Sequence, residues 1–126
     1  DVLPFLLYLR EKNIKTGTLS DVAYGLENEY ALKDIASIFK YIDLPYTSND
    51  VGFRKPNTKG LQMIAQKLSV DVGQIMFIGD EEKDIICANN AGAISVLIDR
   101  DEKRPEFGQK YRVSNLTELK KMIKWL

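Results

Sequence analysis

The 126 residues, 44% of them hydrophobic, suffice for one domain with a single core and fall short of two. Eighteen basic side chains balance eighteen acidic ones, so no long-range field draws the chain to nucleic acid or an anionic membrane, and any recognition of phosphate must be local. With no histidine there is no Ser-His or Cys-His couple, no imidazole base and no zinc site of the finger or protease type, which leaves carboxylates, lysines and hydroxyls to do any chemistry.

Val2, Leu3, Leu6, Leu7 and Leu9 predict an amphipathic helix that breaks at Lys12 and Asn13, and Ile14 to Leu19 then predicts a short strand ending at Ser20 and Asp21. Leu32, Ile35, Ala36, Phe39 and Ile42 fall on one face of a second helix. Leu44 to Ser48 predicts a short strand that Pro45 restricts to a strand start or a sheet edge. Beyond Pro56, the spacing of Leu61, Ile64, Ala65 and Leu68 is helical again, with a turn through Asp71, Val72 and Gly73.

Ile75 to Ile78 is an unbroken apolar run, the pattern of a strand covered on both faces, and it leads directly into Gly79 and Asp80. Ile85 to Ala91 predicts a helix capped by Gly92, followed by a strand from Ile94 to Ile98. Arg100 to Lys110 is charged and holds Pro105 and Gly108, as a surface loop does. Tyr111 to Val113 predicts a small edge strand. Asn115 then caps a last helix, with Glu118 three residues on and a stripe of Leu116, Leu119, Met122, Ile123 and Leu126. Lys120, Lys121 and Lys124 make its solvated face. Helix and strand alternate throughout, so the expected fold is a three-layer α/β/α parallel sheet of Rossmann-like type with right-handed crossovers. Ligands of such sheets bind beyond the carboxyl ends of the strands.

Polar residues gather in three clusters: Thr18-Leu19-Ser20-Asp21, Gly52-Phe53-Arg54-Lys55-Pro56, and Ile78-Gly79-Asp80-Glu81-Glu82-Lys83-Asp84. Each has an ordinary structural explanation. Ser20 and Asp21 suit a turn or a helix cap, Lys55 an exposed loop, and Asp80 a helix N-terminus. Cys87, among Ile85, Ile86, Ala88 and Ala91, is expected to be buried and inert, and Glu81 and Glu82 to face solvent. A lone cysteine forms no intrachain disulfide. No signal peptide or apolar run of spanning length is present, so the expectation is a soluble, cytoplasmic protein without membrane or nucleic-acid partners.

In their order and spacing the three clusters resemble the motifs of the haloacid dehalogenase (HAD) superfamily: a Ser or Thr ending a strand, a Lys often followed by Pro, and Gly-Asp with another Asp a few residues on. Ser48-Asn49-Asp50-Val51-Gly52, Ala88, Ala91 and Gly92 extend the likeness, so it covers almost the whole chain. The resemblance is to the C1-capped, phosphoglycolate phosphatase-like branch. It implies a magnesium-dependent phosphohydrolase acting on a small phosphate monoester through an aspartyl-phosphate, with roles for Ser20, Lys55 and Asp80.

Physical chemistry is consistent with those roles. The Ser20 hydroxyl can donate to a phosphate oxygen, and Lys55 can supply a point charge from an extended backbone fixed by the following proline. Asp80 offers a hard oxygen ligand to Mg²⁺, which keeps several waters and takes one or two protein carboxylates. Asp84, a helical turn later, either completes the metal site or orients Lys55. Asp21 stands where many members of the family have Asn. A carboxylate beside a phosphate is unfavourable, so Asp21 either points away or recognises a cationic part of the substrate.

The family's Asp-x-Asp strand, which carries the nucleophile, is not in this sequence. The resemblance therefore implies that residues 1–126 are the C-terminal, post-cap portion of a single core domain, and the start at Asp1 without Met has the look of a piece cut from a longer chain. The further partners implied are that N-terminal strand and the cap. The strand would lie between those predicted at Ile14 to Leu19 and Ile75 to Ile78, so the 126 residues alone would expose two apolar edges, rearrange or be inactive. Two other readings remain beside the phosphatase, a dehalogenase and a non-catalytic phosphate- and metal-binding module. A receiver-like or flavodoxin-like domain explains the alternation but not the order of Lys55 and Asp80.

Overall fold

A computed structural model describes residues 1–21 and 38–123, with Phe39 described only by its backbone. The predicted helix through Leu32, Ile35 and Ala36 lies outside these residues, as does Leu126. The chain starts with helix α1, Val2–Glu11, and strand β1, Gly17–Ser20. After a 3-10 turn at Phe39–Tyr41 come β2, Leu44–Thr47, the short helix α2, Ser48–Val51, α3, Lys59–Leu68, and a second 3-10 turn at Val72–Gln74. Strand β3, Met76–Gly79, helix α4, Glu82–Ala91, β4, Ile94–Ile98, β5, Tyr111–Val113, and α5, Leu116–Ile123, complete the order.

Every strand pairing is parallel, as the alternation requires. β1 pairs with β2, placing Ser20 opposite Thr47, and β3, β4 and β5 form a second sheet in that order. Helices cover both faces. On one side Phe5 and Leu9 of α1 and Leu116 and Leu119 of α5 pack with Val96 and Val113. On the other, Leu61 and Ile64 of α3 meet Cys87 and Ala88 of α4 and Leu19 of β1. The three-layer α/β/α architecture is thus present, divided between β1 and β3 by a cavity of about 540 Å³ lined by Thr18, Leu19, Phe77 and Ile78 among others.

Two predicted details differ. The buried face of α1 is Phe5, Leu6 and Leu9, whereas Val2, Leu3 and Leu7 are exposed. So much of α1 is apolar that spacing alone does not select the face; packing on Val96 and Leu119 does. Strand β3 is half-buried at all four positions rather than fully covered, because one of its edges borders the cavity. The turn chemistry follows the sequence closely. Gly92 closes α4 at φ 85°, a left-handed conformation glycine adopts without a Cβ clash. At the start of α5 the Glu118 N–H donates to Asn115 Oδ1 at 2.8 Å, and the Leu116 N–H donates to Asp1 Oδ2 at 2.9 Å. Among the described residues no helix is long and apolar enough to cross a membrane.

Candidate functional site

The parallel order brings Ser20 and Asp21, at and just beyond the end of β1, to the same rim as Gly79 and Asp80 at the end of β3. Four contacts tie this rim together. Asp21, its side chain 5% exposed, accepts the Lys55 N–H on Oδ1 at 3.0 Å and the Lys83 ammonium on Oδ2 at 2.8 Å. Lys55 in turn reaches across to Asp84, with Nζ 2.7 Å from Oδ1 and both side chains at or below 10% exposure. The same ammonium sits 5.6 Å from the centre of the Phe77 ring, a cation–π contact that helps fix its position.

Asp84 is oriented by its own helix. Its Oδ2 accepts the N–H groups of Asp80 at 3.2 Å and of Glu81, the residue capping α4, at 3.1 Å, so the carboxylate reaches back over the turn that leads into the helix. This requires glycine at position 79, since any Cβ there would run into the Asp84 side chain. Asp80 itself does not cap the helix. Its side chain is 58% exposed, with Arg104 Nη2 at 3.6 Å as a loose counter-ion. The loop that carries Arg104 is held by Asp99, 2% exposed at the end of β4, which accepts the N–H groups of Lys103 and Arg104 and a 2.7 Å bond from Arg112.

Burial alone would push the Asp21 carboxyl up, but the bond from Lys83, the Lys55 N–H and the charges of both ammonium groups outweigh it and hold the carboxyl below its usual range. A folded value below the unfolded one means that Asp21 stabilises the fold fully above the normal carboxylate range, about pH 4, and that this contribution fades as pH falls through the lower folded value. Denaturant titration should therefore show the stability gap between the wild-type protein and Asp21→Asn narrowing as pH drops below about 4. A gap independent of pH would contradict this account.

Of the residues singled out in the sequence, Asp21, Lys55 and Asp84 are joined by direct bonds, Asp80 adjoins them through its N–H, and Ser20 precedes Asp21, half-buried at the strand end. Glu81 and Glu82 are exposed as expected. Cys87 is fully buried against the Asn57 carbonyl, and burial pushes its thiol up to about 11, so it is no nucleophile. The motifs give no role to Lys83, although it stands within the third cluster, or to Arg104; Lys83 lies 62 residues from its partner Asp21, and only the fold joins them.

A magnesium ion asks for one or two carboxylates and a shell of water. Both Asp84 oxygens already accept hydrogen bonds, whereas among the described residues the exposed Asp80 carboxylate is held only by the loose Arg104 contact. Among the described residues no group of three or more His, Cys, Asp or Glu side chains converges. These residues therefore fit part of a hydrated magnesium site, with Asp80 as the ligand on offer.

The molecule is a parallel α/β core with two lysines and three aspartates gathered at its carboxyl rim, and comparison with known proteins gives the family. The model of the haloacid dehalogenase-like hydrolases matches residues 1–92, and the chain belongs to that family. It is 32% identical over 101 residues to the glyceraldehyde 3-phosphate phosphatase of Methanopyrus kandleri, covering 79% of this chain and 42% of that protein. Over 65 residues it is 32% identical to the phosphoglycolate phosphatase of Escherichia coli K12, covering 52% of this chain and 26% of that enzyme. Among solved structures, a HAD phosphatase from Thermococcus onnurineus superposes with a TM-score of 0.86 at 27% identity, over 98% of this chain and 56% of that one. A 2-haloacid dehalogenase from Pseudomonas syringae shares the fold at a TM-score of 0.81 and 19% identity, over 99% of this chain and 53% of the other. The chain thus spans roughly half the length of these relatives, or less.

Proposed function

We propose that residues 1–126 are the post-cap portion of a Mg²⁺-dependent phosphatase that hydrolyses a small phosphorylated metabolite through an aspartyl-phosphate. The observation that carries this reading is the rim itself: Lys55 is fixed between Asp84 and Phe77, and Asp80, whose N–H the same Asp84 accepts, leaves its own carboxylate exposed. A phosphoryl group in transfer needs cations and donors set in place beforehand, and this arrangement holds one ammonium rigidly while leaving one carboxylate available to a metal. Ser20 donates its hydroxyl to a phosphoryl oxygen and Lys55 neutralises a second. Asp84 orients Lys55, and Asp80 holds the ion. Magnesium, when bound, supplies charge stabilisation at the phosphoryl oxygens.

The nucleophilic aspartate would come from a strand outside this chain, seated between β1 and β3. The cavity of about 540 Å³ between those strands supports this, with apolar side chains on either side. So does Thr18, a residue of the cavity lining whose Oγ1 is the one buried side-chain polar atom without a hydrogen-bond partner among the described residues. A strand seated there would pair the free edges of β1 and β3 and offer that hydroxyl a backbone partner. The cap completes the expected partners. A cytoplasmic setting suits the one, unpaired cysteine. Against a dehalogenase stands Gly79-Asp80, a feature that metal-independent chemistry does not need.

The test is turnover of p-nitrophenyl phosphate by the full-length gene product. Phosphate release should require Mg²⁺ and stop on chelation, and residues 1–126 alone should give none. Turnover by residues 1–126 alone, or metal-independent turnover by the full-length protein, would refute the assignment.

A further inference from the structure

Asp21 presents a difficulty at a site meant for phosphate: a carboxylate with a side chain only 5% exposed, bonded to the backbone of the very lysine expected to meet the phosphoryl group. A buried carboxylate must be compensated, and two ammonium groups lie near it. Lys83 supplies the direct contact at 2.8 Å, while Lys55 donates its backbone N–H and turns its own ammonium to Asp84 at 2.7 Å. Lys83 is shared only weakly elsewhere, with Glu81 Oε2 at 3.6 Å, and its side chain is 33% exposed. The two lysines thus divide the two buried carboxylates between them.

We infer that Lys83 is a positioning residue for the phosphoryl-binding lysine: by neutralising Asp21 it leaves the Lys55 ammonium on Asp84 and keeps a naked carboxylate away from the incoming phosphate. This rests on the proposed phosphatase reading and adds to it the device that tolerates Asp in place of Asn. Without Lys83, the other ammonium whose charge acts on Asp21 is that of Lys55. Its ammonium is then shared between two carboxylates, and the rim carries one excess negative charge where an anion must bind. Removing Asp21 as well removes the excess charge, so the two substitutions compensate.

The experiment titrates inorganic phosphate into the full-length protein with Mg²⁺, by calorimetry, and follows p-nitrophenyl phosphate turnover in parallel. Lys83→Met should weaken phosphate binding about tenfold and raise KM by a similar factor with a smaller change in kcat. Lys83→Arg, which keeps the charge, should stay within about threefold of wild type. The double variant Asp21→Asn/Lys83→Met should recover most of the loss. Should Lys83→Met fail to fold while the double variant folds, the same compensation is read through stability. Wild-type phosphate affinity in Lys83→Met overturns the inference, as does a double variant as weak as the single one, which would mean that Lys83 touches the phosphate directly. Turnover by the wild-type protein with no effect of Lys83→Met defeats this inference alone, whereas a wild-type protein that neither binds nor hydrolyses phosphate defeats the functional reading with it.

Discussion

Replacing Asp80 by Asn in the full-length protein is expected to lower kcat/KM for a phosphate monoester by about 10²–10³-fold, on the order of 3–4 kcal/mol of transition-state stabilisation, with almost no change in melting temperature. The separation of the two effects follows from the exposure of the side chain. Asp80 is 58% exposed and its ion-pair partner, Arg104, lies 3.6 Å away with 42% exposure of its own. Exposed pairs of this kind contribute about 0–1 kcal/mol to stability, so the fold loses little when the charge goes. A metal ligand loses far more, since the amide is a neutral and weaker oxygen donor to a hard cation. High Mg²⁺ should restore part of the activity. Unchanged activity in Asp80→Asn would remove the carboxylate from the metal site and with it the reading of the rim as a phosphatase centre. A large drop in melting temperature would show instead that Asp80 is structural.

The same contrast explains which parts of the molecule the sequence discloses. Strands β4 and β5 stand where an apolar run and the short Tyr111-Arg112-Val113 segment put them, and Gly92 and Asn115 mark helix ends through local backbone chemistry that needs no distant partner. The rim residues Ser20, Lys55, Asp80 and Asp84 are found by order and residue type, because a parallel alternating fold delivers strand ends to one side. What local chemistry does not carry is pairing across the fold. Asp21 looks like an anion misplaced beside a phosphate site until Lys83, 62 residues away, is seen to neutralise it. The bonds that Asp84 makes to Lys55, Asp80 and Glu81 are also invisible in the motif, which leaves its two roles open. The buried face of α1 was likewise hidden, since Leu3 and Leu7 are as apolar as Leu6 and Leu9 and only the neighbouring elements choose between them.

Lys55→Met should produce a different outcome from Asp80→Asn: loss of activity together with loss of stability. Asp84 is 6% exposed at its side chain, and Lys55 is its only cationic contact within 4 Å among the described residues. Breaking a buried pair by removing one partner leaves the other charge uncompensated, at a cost of about 3–5 kcal/mol. The two N–H groups that Asp84 also accepts remain, so the lower end, about 3 kcal/mol, is expected in denaturant titration of the full-length protein. Neutralising the orphaned partner separates the two roles of the lysine. In Lys55→Met/Asp84→Asn the amide oxygen can still accept a backbone N–H, so stability should return to within about 1 kcal/mol of wild type. Activity should not return, because no ammonium faces the phosphoryl group. A double variant that regains turnover would show that Lys55 serves only to neutralise Asp84. A double variant no more stable than the single one would show that the loss arose from packing against Phe77 rather than from the buried charge.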